Sequence, residues 1–184
     1  TCSSASLELC KVRGLPARPP PQGLERGGPS GGLDLSVSRL ASSGAPVVRV
    51  NCHPFRFGKW LFQHNGDIGQ FDLIRHALAT RIDPAYFSAM NGGTDTETMF
   101  HLALTHGLQD DPLKGVRGMI NDVEEARTEA GIEDPFRMTL GISDGTTLWA
   151  FRYASHGVPP SLYHSKSKAA LQEATGGAFT LSED

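Results

Sequence analysis

Three segments of the chain place apolar residues at helical spacing. The first covers residues 70–80. The second begins at Thr94, which together with Glu97 three residues later has the sequence of a capping box. The third begins at Asp111, directly before a proline, and ends before Gly131. The apolar faces of these predicted helices carry, in order, Phe71, Ile74 and Leu78, then Met99, Leu102 and Ala103, then Val116, Met119, Ile120 and Val123.

Strands are predicted on both sides of these helices. Residues 47–50 and 60–62 are β-prone runs that precede the first helix. After the third helix the apolar period becomes two over residues 136–142, a Ser-Asp-Gly turn follows, and residues 148–153 return as a partner strand. Residues 161–164 indicate a third strand in this part of the chain, and residues 167–174 indicate a terminal helix. Strands, then helices, then antiparallel strands indicate an α+β layered fold.

The first forty residues differ in character from the rest of the chain. Residues 1–40 show no sustained period of two or 3.6, and clustered prolines and glycines interrupt any element that begins there. Composition alone therefore predicts a disordered tail. The Pro, Gly, Arg and Ser content is also typical of a GC-rich gene read out of frame, so a frameshifted start is a second interpretation. We expect the folded domain to cover residues 41–184.

Composition excludes several classes of function. The 184 residues, 39% hydrophobic and 20% charged, fit one globular domain. A net charge of −3 gives no electrostatic reason to expect binding to nucleic acid or to an anionic membrane. No apolar run approaches the roughly 20 residues that span a bilayer. The three cysteines have no zinc-site spacing, so we expect no metal and a reducing cytoplasmic setting.

The candidate polar residues are ambiguous when each is taken alone. A carboxamide next to a glycine N–H can stabilise an oxyanion, but Asn65-Gly66 alone is more typical of a tight turn. Asp95 alone is typical of an acid in the first turn of a helix. His53 and His64 lack companion ligands at metal-site spacing, so core or strand-end positions are the simpler interpretation.

The order of the motifs is more informative than any one of them. Asn51-Cys-His-Pro-Phe55 and His64-Asn-Gly66 are followed by a helix and then by Gly92-Gly-Thr-Asp-Thr-Glu97. This order resembles the class II glutamine amidotransferases, and most closely their stand-alone branch, which includes the ergothioneine-pathway γ-glutamyl hydrolases. The resemblance extends over residues 41–168. It implies an N-terminal-nucleophile hydrolase-like αββα sandwich, which we expect to be incomplete at both ends.

The resemblance also implies roles for individual residues. Asn65 would donate its side-chain N–H, and Gly66 its backbone N–H, to the oxyanion hole. Asp95, flanked by Gly93 and Thr94, would hold the α-amine of a glutamyl substrate. Ser43 would help to hold the amino-acid end of that substrate. Cys52 stands where the family usually has threonine, so the resemblance implies a small side chain that fills a strand position.

The implied reaction uses a cysteine at the first position of the mature chain and needs no metal or organic cofactor. The cysteine attacks the γ-carbonyl of glutamine or a γ-glutamyl compound and forms a thioester, which water then releases as glutamate. Here Thr1 comes first, Cys2 is the candidate nucleophile, and Leu40 occupies the position of the family's substrate-binding arginine. An inactive relative that binds a γ-glutamyl ligand or a protein partner is therefore the alternative. The sequence leaves open whether a partner synthase receives the ammonia.

Overall fold

The computed structural model describes residues 6–13 and 49–162. Five antiparallel strands form one sheet in the order β1-β5-β4-β3-β2, and four helices lie between β3 and β4 in the chain. The element bounds are β1 Ser6–Arg13, β2 Phe55–Phe57, β3 Trp60–Ile68, α1 Phe71–Arg81, α2 Pro84–Phe87, α3 Asp95–Thr105, α4 Pro112–Glu129, β4 Phe136–Ser143 and β5 Thr147–Ala154. This arrangement confirms the α+β prediction.

One face of the sheet packs against the helices. Residues opposite one another in an antiparallel pair share a face, so His64 on β3 lies beside Leu140 on β4 and Leu140 lies beside Phe151 on β5. All three are fully buried. Phe62 stacks on Phe100 of α3, with 4.9 Å between ring centroids. The alternation predicted over residues 136–142 is confirmed, and it makes this face of β4 apolar.

The predicted helix ends are confirmed. Asp111 caps α4 by accepting from the backbone N–H groups of Leu113 and Lys114. At the other end, Gly131 has φ +67°, and the N–H of Ile132 donates to the carbonyl of Arg127. The N–H of Gly131 also donates to the carbonyl of residue 128, which completes a Schellman motif.

Three expectations about strands need correction. Arg49 and Val50 were expected in a strand but lie in a 3₁₀ turn, Arg49–Asn51. Cys52 is exposed and lies outside any strand, so it does not fill a strand position. Ser161 begins no strand, and the remainder of the element expected there lies outside the described residues.

Strand β1 was not predicted. It pairs with β5 along its whole length, from Ser6 opposite Ala154 to Arg13 opposite Thr147. A signal was present, because Leu7 and Leu9 alternate with polar residues, but it covers only a few positions. Leu7 packs against the core, whereas Leu9 is 42% exposed.

Candidate functional site

Asn65 and Gly66 lie inside β3 and not in a turn. Their register partners on β4 are Thr139 and Met138. The interpretation of Asn65-Gly66 as a tight turn is therefore wrong. Asn65 is exposed on the sheet face away from the helices, and its carboxamide makes no hydrogen bond within residues 6–13 and 49–162.

The backbone N–H of Gly66 points towards an edge of β3 that β2 does not cover. Strand β2 pairs only with Trp60–Phe62. The N–H of His64 donates to Nδ1 of His53 at 3.4 Å, so it points away from β4. Alternate residues of a strand direct their N–H groups to the same side. The N–H of Gly66, two residues further on, therefore points to the same edge, beyond the three residues of β3 that pair with β2.

Position 66 has no room for a side chain. Gly66 has φ +139°, and an added Cβ would lie 2.1 Å from the carbonyl oxygen of Arg137. It would also lie 2.9 Å from Nε2 of His64. Only glycine fits this backbone conformation and this close approach.

The Gly92–Asp95 loop is held by the first turn of α3. Thr94 is the N-cap and accepts from the N–H of Glu97 at 3.2 Å, as the capping box predicts. The reciprocal half of the box is different, because the Glu97 carboxylate reaches past Thr94. It accepts from the N–H groups of Asn91 and Gly92, each at 2.8 Å. Glu97 is only 2% exposed, so this buried carboxylate fixes the loop before Asp95.

Asp95 is joined to β3 through two neighbours. Its Oδ1 accepts from the backbone N–H of Thr96 at 2.7 Å and from the Thr96 hydroxyl at 3.2 Å. The same hydroxyl oxygen is 3.0 Å from Nδ1 of His64. The contact between His64 and Thr96 brings the strand that carries Asn65 and Gly66 beside the helix start that carries Asp95.

Charged side chains lie on both sides of the place where β3 meets the start of α3, which we call the junction. Desolvation and then the nearby Asp95 carboxylate raise the pKa of Asp67, against the opposing effect of Arg137. On the other side, an added Cβ on Gly93 would lie 2.1 Å from Nη2 of Arg75, so the guanidinium lies against this loop. The junction thus combines a carboxylate pair, suited to an ammonium, with the guanidinium groups of Arg75 and Arg137.

Two of the predicted residues cannot be located. Cys2 and Ser43 lie outside the described residues, as does Leu40. Among the others, Gly93, Thr94 and Asp95 meet the Asn65-Gly66 strand at the junction. Sequence reasoning missed Thr96 and the contact made by His64, although both residues stand inside the quoted motifs.

An open pocket of about 340 Å³ lies elsewhere on α3. Its lining includes Cys52, Glu97 and His101 but none of the predicted site residues. Within the described ranges, no three His, Cys, Asp or Glu side chains are grouped as metal ligands would be. In the same part of the chain, no helix is long and apolar enough to cross a bilayer.

Comparisons with known proteins indicate what the chain is similar to. No protein-family model matches the chain. The probable glutamine amidotransferase DUG3 of Saccharomyces cerevisiae is 28% identical over 139 residues, which cover 65% of this chain and 39% of that protein. A solved structure, a glutamine aminotransferase class-II domain protein from Silicibacter pomeroyi, is 36% identical with a TM-score of 0.62. The match covers 67% of this chain and 55% of the chain in that solved structure.

The chain spans 39% of the curated relative and 55% of the solved structure. The first relative is named as a glutamine amidotransferase and the second as a class-II glutamine aminotransferase domain protein, and the second is similar to this chain in fold as well as in sequence. Both comparisons therefore support the family prediction, because the chain is similar to a glutamine amidotransferase and to a glutamine aminotransferase class-II domain protein.

Proposed function

We propose that this chain is a glutamine amidotransferase-like amidohydrolase domain, which cleaves the γ-amide of glutamine or of a γ-glutamyl compound through a cysteine thioester. The hydrogen bond between His64 and Thr96 carries the proposal. It supports the proposal because it joins β3, the strand that carries Asn65 and Gly66, to the start of α3, where Asp95 lies. The names of the two relatives support the same class of substrate.

Each group has a defined part in the proposed reaction. The thiol sulfur of Cys2 forms a bond to the γ-carbonyl carbon, and the carbonyl electrons move to oxygen. Asn65 and Gly66 donate to that oxyanion. The carbon–nitrogen bond then breaks, the proton lost by the thiol passes to the departing nitrogen, which leaves as ammonia or an amine, and water hydrolyses the thioester to glutamate and the free thiol.

The substrate's amino-acid end would be held at the start of α3. A carboxylate gains a charge-assisted hydrogen bond from an ammonium that it cannot gain from an uncharged analogue. Asp95 supplies that carboxylate, with Gly93 and Thr94 beside it, and Ser43 is proposed to contact the same end. Neither the proposed roles nor the reaction involves a metal or a cofactor.

The proposal extends to the architecture. The helices cover one face of the sheet, and Asn65 and Asp67 lie on the other. A second sheet packed against that other face would complete the αββα sandwich of the N-terminal-nucleophile hydrolases. A cytoplasmic setting, and the absence of a nucleic-acid partner, stay predictions.

A glutaminase assay tests the proposal. Asn65→Ala is expected to lower kcat by about 10²–10³-fold, because one oxyanion donor is lost, and to change the affinity for glutamate little. Asn121→Ala is the matched control, since Asn121 is an exposed asparagine on α4. Mass spectrometry should also find a γ-glutamyl thioester on Cys2. Equal activity of the two variants would refute the oxyanion role of Asn65.

A second candidate is a relative that binds γ-glutamyl ligands or a protein partner without catalysis. Leu40 at the arginine position favours it, because leucine cannot pair with a substrate carboxylate. Glutamate binding with no turnover and no thioester would select this candidate. Turnover that depends on Cys2 would reject it.

A further inference from the structure

We propose that His64 and Thr96 are positioning residues that set the amine-binding carboxylate of Asp95. This inference rests on the proposed function, because it concerns how the same site recognises the α-amine of its ligand. None of the residue roles implied by the family resemblance includes either side chain. Both are buried, with His64 0% and Thr96 0% exposed, so neither is placed to contact a ligand directly.

The direction of the hydrogen bonds follows from the chemistry of the groups. An ionised carboxylate only accepts, so the single hydroxyl hydrogen of Thr96 is donated to Oδ1 of Asp95. The Thr96 oxygen must then accept from the His64 ring, which requires the proton to lie on Nδ1. The chain therefore runs from His64 to Thr96 to Asp95, and it fixes the tautomer of His64.

The hydrogen bonds from Thr96 engage one oxygen of the Asp95 carboxylate and leave the other, Oδ2, for the proposed ligand. The backbone N–H and the hydroxyl of Thr96 both donate to the same oxygen of Asp95, Oδ1. Within the part of the chain that the structure describes, Oδ2 accepts no hydrogen bond. Because Oδ1 is held from the buried side, Oδ2 is presented to the junction in a fixed direction.

His64 also connects the two halves of the proposed site. Its backbone N–H donates to His53, and its Nε2 lies where a side chain on position 66 would be. The same imidazole thus packs against the oxyanion glycine and orients the amine-binding acid. A change at Thr96 should affect recognition of the amine without touching the oxyanion donors.

The test compares the binding of L-glutamate with that of glutarate, which has the same two carboxylates but no amine. Calorimetry on the unaltered protein is expected to show glutamate binding about tenfold or more tightly, because its ammonium pairs with Asp95. In Thr96→Val that preference should fall to about threefold or less, with the affinity for glutarate unchanged. Thr96→Ser keeps the hydroxyl and should restore the preference.

The outcomes distinguish a failure of this inference from a failure of the proposed function. A Thr96→Val protein that keeps the full preference overturns this inference and leaves the proposed function standing. An unaltered protein with no preference for glutamate overturns both. Nitrogen NMR of the unaltered protein adds a test that needs no variant, since the His64 proton is expected on Nδ1. A proton on Nε2 alone would overturn the inference even if Thr96→Val failed to fold.

Discussion

Replacing Gly66 by alanine should destabilise the protein far more than a methyl group added to a strand normally does. A new Cβ would lie 2.1 Å from a backbone oxygen, that of Arg137, and 2.9 Å from Nε2 of the buried His64. The backbone oxygen can move only if the β3–β4 pairing shifts. Holding a non-glycine residue at φ +139° costs about 1–3 kcal/mol, and overpacking adds about 1–3 kcal/mol. The free energy of unfolding should therefore fall by about 2–6 kcal/mol.

Two other glycines provide matched controls. Gly141 lies on the neighbouring strand β4, and an added Cβ there would meet nothing within 4 Å. Gly141→Ala should change stability by less than about 1 kcal/mol. Gly131 has φ +67° with open space around it, so Gly131→Ala isolates the conformational cost, about 1–2 kcal/mol.

Urea unfolding of the three variants measures these differences, with the slope of each transition checked for two-state behaviour. The expected order of destabilisation is Gly66→Ala, then Gly131→Ala, then Gly141→Ala. If Gly66→Ala lies within about 0.5 kcal/mol of Gly141→Ala, the close approach of Arg137 to position 66 is wrong. The geometry inferred for β3, the strand that carries the proposed oxyanion donors, would then be wrong as well.

Two further predictions concern carboxylates that hold loops. Glu97→Gln should lower the free energy of unfolding by about 1–3 kcal/mol, because an amide nitrogen would face one of the two loop N–H groups. The control Glu129→Gln, at an exposed position, should have almost no effect. Burial alone would raise the pKa of Asp144, but hydrogen bonds from Thr146 and Thr147 lower it below its ordinary value. Asp144 therefore stabilises the fold above the ordinary aspartate pKa of about 3.9, and that contribution is lost as pH falls through the lower folded pKa. Asp144→Asn should lower the free energy of unfolding by about 1 kcal/mol at neutral pH, and this loss should shrink in acid. A loss that stays constant on acidification would contradict this reasoning.

The features that the sequence predicted well are determined by neighbouring residues. Asp111 and Gly131 delimit α4 because their caps need only the adjacent turn of backbone. The alternation beginning at Phe136 needs only one buried face. In each case the local pattern and the tertiary packing favour the same structure.

The features that were wrong depend on contacts distant in the chain. Asn65-Gly66 has the sequence of a turn, yet pairing with β4 keeps it extended. Val50 is β-prone, but it lies in a 3₁₀ turn before β2. The partner of the Thr96 hydroxyl is 32 residues away in sequence, so no local pattern could identify it.

The carboxylate of Glu97 has a consequence for the speed of ligand capture. It bonds the backbone of Asn91 and Gly92 to the helix that carries Asp95, so contacts within the chain itself hold the proposed amine-binding segment in place. Little conformational entropy is then lost on association. Glutamate should bind without a slow ordering phase, and its association rate should vary in direct proportion to its concentration.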